Sequence, residues 1–410
     1  MLKDAITREP SPARIAAAGL NDLGSFPLAG PARPGLIRPR YLGFLALGVA
    51  CWVGLFLAFT SIVDPYGVSP LHLSIAGLNV LKPKRVDIDR LIKPYEVWRY
   101  QPHTVFLGTS RIQQSIDPAT LDGTRFAPAY NASIPASSLG MNISNLEQYL
   151  TLDRNLRTVF AELFIYYFLG QGQEHTPRTR SEFLANAATL LGSSDALWAS
   201  VATVSQNAVI KKETYEIRPG GYFYYPPGHR AGDNFNGFAQ GIWKNNPNLA
   251  LSQGSFDALR DLINTARAHD IELIFLATPN HAYFDYYVDA IGAWDLVEEW
   301  LRRASQDATI YSFSQPNDWV YEPVKPMMTY WNDPFHFSLA MGRGIAASLA
   351  GQNVPGLPDN FMVRLTPDNA AALVQARRAA IKRWARDNPS FVEEFDKERL
   401  KRASDQHGVK

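Results

Sequence analysis

The sequence predicts an α/β domain built on a parallel sheet and preceded by one membrane-spanning helix. An uncharged stretch of about 23 residues, 41–63, is long enough at ~1.5 Å per residue to cross a hydrocarbon core of ~30 Å. After it, short apolar runs alternate with amphipathic stretches, as in sheets covered by helices on both faces. The composition, 46% hydrophobic and 19% charged, is that of a globular protein.

Charge and cysteine content exclude several classes of protein. Forty Lys and Arg residues oppose 39 Asp and Glu, so no overall positive field recruits nucleic acid, and we expect no nucleic-acid partner. The single cysteine, Cys51, rules out an internal disulfide and a cysteine-based zinc cluster. We expect no metal and no cofactor.

The apolar stretch 41–63 is interpreted as a retained transmembrane signal anchor. A buried core helix and a cleaved signal peptide are the alternatives, but a signal peptide has a shorter apolar core and a small-x-small cleavage site, which 59–63 lacks. The flank before the span is basic, with Arg38 and Arg40 beside it, and the next Lys after it is Lys82. The positive-inside rule therefore predicts a flexible cytoplasmic tail, 1–40, and an outer domain after the span.

The rest of the chain divides by its local patterns. We predict an irregular stalk at 64–100 because it contains four prolines. An α/β domain follows at 101–352, and a charged helical extension at 353–410. The predicted strands are 104–107, 125–130, 158–167, 271–277 and 308–313, and the predicted helices are 142–155, 256–269, 291–305, 338–350 and one from 366 to 386.

An insertion or lid is predicted at 170–254, between the third and fourth strands. Its first part, 181–210, has a helical pattern, and its second part is rich in Tyr, Gly and Pro. Aromatic side chains there, Tyr224 and Trp243 among them, form either a sugar-stacking wall or a local core. The C-terminal helix has a basic face that is either solvated or in contact with anionic headgroups or polysaccharide.

Two short segments carry the chemistry. Ser110 follows the first strand in Gly-Thr-Ser-Arg, at the sheet edge where open α/β folds bind ligands. Asp333 lies three residues before His336, just ahead of the last helix of the domain, a spacing that lets the carboxylate hold the imidazole in the tautomer that accepts a serine proton. Helix capping and a surface histidine are the alternative interpretations, but the two segments together predict a serine nucleophile with its base.

The order of these segments resembles the SGNH (GDSL-type) hydrolase superfamily. The Gly-Thr-Ser-Arg block is similar to its membrane-anchored bacterial branch, which includes alginate O-acetylation and D-alanine transfer proteins. The resemblance implies a three-layer, flavodoxin-like fold and matches Ser110 to the nucleophile, His336 to the base and Asp333 to the orienting acid. It also implies a single-pass protein of the bacterial inner membrane whose catalytic domain is periplasmic or extracellular.

The sequence departs from the family at the oxyanion hole. In the block after the second strand, Ser133 or Ala132 replaces the usual glycine, and either can supply a backbone N–H. The family's Gly-x-Asn-Asp is missing after the third strand. Asn131 or Asn280 is a candidate substitute, although Asn280 and the next residue, His281, are also ordinary turn residues. Loss of one such donor typically lowers turnover by ~10²–10³.

Arg111 and His281 complete the candidate site as substrate-binding residues. Arg111 either pairs with a carboxylate of its own domain or meets an anionic substrate. A metal site built from Asp333, His336 and His281 lacks a metal-binding spacing.

We therefore expect an extracytoplasmic serine esterase or O-acyltransferase that acts on acyl esters, with acetyl as the expected group, of a cell-envelope or exported polysaccharide. The alternative is a catalytically inactive protein of the same fold that binds glycan or assists assembly. The expected partners are the inner membrane, a polysaccharide and, from the resemblance, a multi-span membrane acyltransferase.

Overall fold

A computed structural model describes residues 39–71, 73–169, 180–212, 215–226, 229–244 and 250–408. The predicted cytoplasmic tail lies outside the described residues up to residue 38. Within the described residues the chain is a mixed α/β protein with a mostly parallel central sheet and one N-terminal apolar helix, as the sequence predicts at this level of detail.

Eight strands are present in the described residues. In chain order they are β1 (Thr104–Leu107), β2 (Ala129–Asn131), β3 (Thr158–Leu163), β4 (Glu216–Ile217), β5 (Phe223–Tyr224), β6 (Glu272–Ala277), β7 (Ile310–Ser312) and β8 (Val363–Leu365). Six of them form one sheet in the order β2-β1-β3-β6-β7-β8, and β4 and β5 form a separate antiparallel pair. All neighbours in the large sheet are parallel except β7 and β8.

Thirteen α-helices are present in the described residues. They are α1 (Pro39–Val63), α2 (Asp89–Tyr100), α3 (Ser110–Gln113), α4 (Leu139–Leu152), α5 (Arg180–Gly192), α6 (Ser194–Ser205), α7 (Phe238–Lys244), α8 (Gln253–Ala268), α9 (Ala282–Ala290), α10 (Trp294–Ala304), α11 (Leu339–Leu349), α12 (Ala370–Asp387) and α13 (Pro389–Gly408). Helix α1 is the one described helix long and apolar enough to cross a membrane, with a mean hydropathy of 2.3 over its most apolar 18 residues.

The central strands are buried on both faces, as strands of a parallel sheet covered by helices must be. Strand β1 has the predicted bounds. Strand β3 is shorter than predicted, because its last pairing joins Leu163 to Ala277 and the aromatic residues that follow form a 3₁₀ turn, Ile165–Phe168.

The predicted stalk contains a 3₁₀ helix, Pro83–Ile88, and helix α2, which packs against α4 and α5. Arg85, Lys93 and Glu96 of this segment are buried. Arg85 pairs with Glu96, and Lys93 Nζ donates hydrogen bonds to the carbonyl oxygens of Asn131 and Gly221. The segment is thus tied to β2 and to the insertion and is not an irregular spacer.

The segment after residue 352 contributes to the main sheet through β8. The predicted boundary between the α/β domain and a C-terminal extension therefore cuts through the sheet. Helix α12 begins at Ala370 and not at the predicted Thr366. It is tied to α9 by Arg377, whose guanidinium pairs with Asp285 at 2.5 Å in a buried position.

The insertion contains α5, α6, a π-helical turn (Gln206–Ile210), the β4–β5 pair and α7. It leaves the sheet after β3, and a bridge between Leu169 and Leu251 closes its two ends. Helix α7 lies over the carboxyl edge of the sheet, where Phe238 and Ile242 line the cleft described below.

Candidate active site

The cleft begins at the nucleophile loop, Gly108–Ser110, between β1 and α3. A Cβ atom at Gly108 would lie 2.7 Å from Ile112 Cγ1 and 2.9 Å from Glu162 Cβ, so the loop can approach β3 this closely only with glycine at this position. Thr109 caps α3 by accepting a hydrogen bond from the Arg111 N–H at 3.2 Å. Ser110 is the first residue of the helix and lines the cleft.

Ser110, His336 and Asp333 form a hydrogen-bonded chain. The Ser110 Oγ and His336 Nε2 atoms are 2.8 Å apart, and His336 Nδ1 and Asp333 Oδ2 are 2.7 Å apart. A Ser–His–Asp arrangement in this geometry allows the imidazole to take the hydroxyl proton while the carboxylate stabilises the imidazolium. The structure therefore brings together the three residues predicted from sequence as a catalytic set.

The loop that carries Asp333 and His336 is folded back on itself. A bridge joins Trp331 to Phe337, and the Asn332 N–H donates to the His336 carbonyl at 2.8 Å. Asp333 Oδ1 accepts hydrogen bonds from the N–H groups of Phe335 at 2.8 Å and His336 at 2.9 Å. Burial alone raises the pKa of the Asp333 carboxyl, but the hydrogen bonds and charge of His336, together with these N–H groups, outweigh it, and the pKa lies below its usual 3.8.

The cleft over the triad has a volume of about 1050 Å³. Its walls combine the triad, aromatic side chains of the β3 end and of α7, and the loop before α4. The lining includes Ser110, Arg111, Ala136, Ser137, Ser138, Phe164, Tyr166, Tyr167, Asp233, Asn234, Phe238, Ile242, Asp333, Pro334, Phe335 and His336. A cleft of this size holds a ligand much larger than an acetyl group.

Glu162 lies under the nucleophile loop, fully buried on β3. Its Oε2 accepts hydrogen bonds from the Thr109 N–H and the Thr109 hydroxyl, both at 2.8 Å, and its Oε1 accepts one from the Thr278 hydroxyl at 3.1 Å. Sequence reasoning missed this residue. The sequence feature that could have identified it is a single carboxylate inside a mostly apolar strand, because a buried carboxylate has to be paired.

Arg111 lies beside this carboxylate. Its side chain is 3% exposed, with Nε 3.7 Å from Glu162 Oε1, its guanidinium carbon 4.2 Å from the centre of the Phe164 ring, and Nη2 donating to the Pro279 carbonyl. Burial lowers the pKa of Arg111, and Glu162 offsets part of this effect. Of the two roles predicted for Arg111, the structure favours pairing with a carboxylate of its own domain over direct contact with a substrate.

The loop before α4 forms the opposite wall of the cleft. Ala136 has a φ of 54°, a left-handed conformation that is strained for a residue with a Cβ. The Ser137 hydroxyl donates to the Gly108 carbonyl at 2.7 Å, which ties this wall to the nucleophile loop. Sequence reasoning missed this loop as well. The one sequence feature that could have indicated this loop is Ser138, a residue type typical of helix N-caps. Its hydroxyl caps α4 by accepting a hydrogen bond from the Met141 N–H at 3.1 Å.

Asn131 and Ser133, predicted as oxyanion donors, are buried away from the cleft. The Asn131 amide donates to the carbonyl oxygens of Ile112 at 2.9 Å and Ile116 at 2.8 Å. Its Oδ1 accepts from the Ser133 N–H at 3.2 Å, so the backbone donor predicted at Ser133 is already engaged. Both predictions are corrected: Asn131 holds α3 against β2, and Ser133 braces Asn131 and contacts the Phe106 carbonyl of β1.

His281 and Asn280 are also placed outside the cleft lining. His281 caps α9: its Nε2 lies 2.9 Å from the Glu322 carbonyl oxygen, and its Nδ1 accepts from the Tyr283 N–H at 3.2 Å. Burial lowers the pKa of His281 to about 4, although the bond to Glu322 opposes this shift, so the ring is neutral near pH 7. The predicted substrate-binding role of His281 is wrong, because both ring nitrogens serve the fold. The Asn280 Oδ1 atom is buried without a hydrogen-bond partner among the described residues.

The predicted aromatic wall is only partly in the cleft. Tyr224 lies in β5, half-buried, with the Arg218 guanidinium carbon 4.0 Å from its ring centre, and it does not line the cleft. Trp243 belongs to α7, but its side chain lies outside the described residues. Among the described residues, no group of three or more His, Cys, Asp or Glu side chains is arranged to hold a metal ion.

Comparisons with known proteins give little further information. No family model matches the chain, and no curated protein matches it. A solved Streptococcus pneumonia protein, provisionally described as a platelet activating factor, matches with 11% identity and a TM-score of 0.32, covering 64% of this chain and 92% of its own. A likeness of that size carries no argument about this protein.

Proposed function

We propose that this protein is a membrane-anchored serine esterase or O-acyltransferase of the SGNH type. One observation carries the proposal: Ser110, His336 and Asp333 are joined by hydrogen bonds of 2.8 and 2.7 Å inside an open cleft. A serine capping a helix has no need of a histidine on its hydroxyl, and a surface histidine has no need of a half-buried carboxylate on its other ring nitrogen. Nucleophilic catalysis requires both contacts.

The reaction follows from these contacts. His336 Nε2 takes the proton from the Ser110 hydroxyl as Oγ attacks the ester carbonyl carbon, and Asp333 holds the proton on Nδ1 and stabilises the imidazolium. When the tetrahedral intermediate collapses, His336 returns the proton to the leaving alkoxide and the acyl group remains on Ser110. Water or a sugar hydroxyl, deprotonated by His336, then attacks the acyl carbon; the bond to Ser110 Oγ breaks, His336 returns the proton to Oγ, and the acyl group leaves as acid or as a new ester.

The oxyanion hole is proposed to come from backbone groups. The Ser110 N–H begins α3, where a helix offers its first N–H groups no acceptor of its own. The loop Ala136–Ser138 faces the same cleft and is fixed to the nucleophile loop through Ser137. The Ser137 N–H already donates to the Ile134 carbonyl at 3.1 Å, so the donors that would replace the predicted side chains are the Ser110 N–H and the N–H of Ala136 or Ser138.

The family assignment and the three-layer arrangement belong to this proposal too. Support comes from the parallel strand order β2-β1-β3-β6-β7, from the position of Ser110 after β1 and from the position of the loop with Asp333 and His336 just before α11. Location outside the bacterial inner membrane rests on α1 and on the basic flank before it. An exported or cell-envelope polysaccharide and a multi-span acyltransferase follow from the resemblance.

A protein that binds glycan without catalysis is the second candidate. The observation that favours it is the burial of Asn131, Ser133 and Asn280 outside the cleft lining, which leaves no predicted side-chain oxyanion donor beside Ser110. The intact hydrogen-bonded triad favours the enzyme.

The test is hydrolysis of p-nitrophenyl acetate by the full chain in detergent. Ser110→Ala and His336→Ala are expected to lower turnover by ~10⁴-fold or more, since residues of a triad act as a unit. Ser133→Ala is the matched control, because its hydroxyl contacts the Phe106 carbonyl and not the cleft, and its turnover is expected to match the wild type.

Two results would contradict the proposal. Turnover by Ser110→Ala equal to that of the wild type would show that Ser110 is not the nucleophile. Absence of both hydrolysis and acyl transfer to a glycan by the folded wild type would favour the binding protein.

A further inference from the structure

A second surface of the molecule is apolar and lies outside the cleft, on helix α6 and the π-helical turn that extends it. Trp198 is 69% exposed, Val209 is 76% exposed, and Val201 and Ile210 are also exposed. The spacing of 198, 201 and 209 places these side chains along one side of the continuous helix. The opposite side is buried through Ala196, Ala199 and Thr203 of α6 and through Asn207 of the turn.

The loop that follows α1 presents a similar surface. Residues 65–81 contain no Asp, Glu, Lys or Arg. Leu71, Leu73, Ile75 and Val80 are exposed there, although soluble loops normally expose polar side chains. We call the apolar side chains of this loop and of α6 with its turn the juxtamembrane patch.

Hydrogen bonds join the two parts of the patch. The Leu81 N–H donates to Asn207 Oδ1 at 2.9 Å, and the Asn207 amide donates back to the Leu81 carbonyl at 2.8 Å. Val80 is therefore held beside the π-helical turn that carries Val209 and Ile210. The patch is one surface made of two chain segments.

The patch is attached to the carboxyl end of α1. The Thr60 hydroxyl donates to the Leu191 carbonyl at 2.8 Å, at the carboxyl end of α5, which is followed directly by α6. The Asn79 amide donates to the carbonyl oxygens of Ile62 and Leu73, both at 3.0 Å. The last turns of α1 thus hold both segments of the patch at the point where the apolar helix ends.

We propose that the juxtamembrane patch inserts into the outer leaflet of the membrane that α1 crosses. This inference rests on the membrane crossing in the proposed function, but not on the esterase chemistry. A spanning helix ends at the headgroup level, so residues bonded to its end lie at the depth where apolar side chains and tryptophan favour the interface. The patch would hold the outer domain in a fixed orientation on the bilayer instead of leaving it free on a tether.

The charges around the patch fit a lipid surface. Lys211 and Lys212 are exposed directly after Ile210, where their ammonium groups can reach anionic headgroups while the adjoining apolar side chains are immersed. Asp195, in the first turn of α6, precedes Trp198 by about one helical turn, and two further acidic side chains near the patch, Asp64 and Glu216, are buried. The alternative occupant is a partner protein, which would cover the same side chains without bringing them into lipid.

The test measures the depth of spin labels on the full chain in nanodiscs of phosphatidylethanolamine and phosphatidylglycerol. Cys51→Ala removes the native thiol, and single cysteines are introduced at Trp198, Val209 and Val80. Leu55→Cys, exposed on α1, is the membrane reference. Met327→Cys is the matched water reference, because Met327 is 56% exposed and lies on the loop between β7 and α11.

The patch labels are expected to collide more with oxygen, which concentrates in lipid, and less with a nickel chelate, which stays in water. Their ratio of the two collision rates should shift from the Met327 value towards the Leu55 value. Water-like ratios at the three patch positions with a lipid-like ratio at Leu55 would overturn the docking alone. Protection from both reagents would indicate a protein partner and would overturn it as well.

A water-like ratio at Leu55 would overturn the membrane crossing and, with it, the docking. Turnover of p-nitrophenyl acetate by the same samples reports the esterase proposal separately. The retained activity of labelled samples also shows that the cysteine variants are folded.

Discussion

Two buried glutamates in this protein have almost the same surroundings and serve different parts of the molecule. Glu162 on β3 and Glu96 on α2 are both shielded from solvent, and each has an arginine and a tyrosine as partners. Glu162 also holds Thr109, the residue before Ser110, the proposed nucleophile. Glu96 pairs with Arg85 and Tyr130, in the segment that joins the end of α1 to the sheet.

The difference shows that burial and ion pairing do not by themselves identify a catalytic residue. Both carboxylates must be paired, because an isolated buried charge is strongly destabilising. Only the neighbours distinguish a carboxylate that positions a nucleophile from one that stabilises the segment between α1 and the sheet. Variants in the two regions should therefore separate turnover from stability.

The largest effect in the cleft region after loss of Ser110 or His336 is expected from Asp333→Asn. The amide keeps the shape of the side chain but favours the wrong imidazole tautomer, and the same change in a serine protease lowers kcat by about 10⁴-fold. Turnover of p-nitrophenyl acetate and a denaturant titration, both in detergent, are the measurements.

The stability of this variant also has a predicted pH dependence. Folding lowers the pKa of Asp333 below 3.8, so its carboxylate stabilises the wild type above that pH, and this contribution disappears as pH falls through the folded-state pKa. The stability difference between wild type and Asp333→Asn should therefore shrink in acid. A difference that grows in acid would contradict the assignment.

The direct comparison of the two regions is Glu162→Gln against Glu96→Gln. Each change leaves a buried arginine with a neutral partner, and breaking a buried pair typically lowers the free energy of unfolding by ~3–5 kcal/mol. Only Glu162→Gln is expected to lower kcat, by ~10²-fold, because the nucleophile loop shifts relative to His336. Active-site titration of the folded fraction separates lost turnover from lost protein.

The effect of Glu162→Gln is expected on kcat and not on KM. KM of Glu162→Gln should stay near the wild-type value, since the cleft walls are retained. Equal kcat values for the two variants, each per folded molecule, would show that Glu162 has no positioning role.

A smaller effect is expected from Lys93→Met in α2, the helix that also carries Glu96. Burial lowers the pKa of Lys93 to about 7, despite the opposing charges of Glu96 and Asp89. A neutral amine has two hydrogens, which match the two carbonyl acceptors, those of Asn131 and Gly221. Methionine removes both bonds and is expected to lower stability by ~1–3 kcal/mol for each unsatisfied carbonyl, with turnover per folded molecule unchanged.

The sign of the pH effect tests the Lys93 assignment further. Between pH 7 and the ordinary lysine value of 10.5 the unfolded chain binds a proton that the folded chain does not, so wild-type stability relative to Lys93→Met should rise with pH over this range. Chemical denaturation of both proteins at several pH values measures this slope. A falling difference would mean that Lys93 is charged in the fold.

The main elements of the fold could be predicted because their patterns are local. Strand β1 has the predicted bounds, and α11 begins at Leu339, one residue after the predicted start of the helix 338–350. The end of β3 could not be predicted, because aromatic residues suit both the strand and the 3₁₀ turn that follows it. Strand β8 is a three-residue edge strand whose antiparallel pairing with β7 leaves no mark in its own sequence.

The candidate site could be predicted only for the residues whose position along the chain, after a strand or before a helix, places them at the same edge of the sheet. Ser110 and the Asp333–His336 loop meet because both lie at the same edge of the sheet. Asn131 and His281 follow strands in the same way, but their side chains cap or brace nearby backbone, and sequence position alone does not distinguish these uses. Ala136 carries no signal at all, because its left-handed conformation is imposed by the fold.

Covalent trapping of the nucleophile tests the central claim most directly. The full chain in detergent is treated with a fluorophosphonate, which reacts with activated serines, and the adduct is located by peptide mass spectrometry. One adduct is expected, on Ser110, lost in Ser110→Ala, nearly abolished in His336→Ala and retained in Ser133→Ala. An unlabelled folded wild type, or labelling of Ser110 that does not depend on His336, would show that the triad is not a working nucleophilic site.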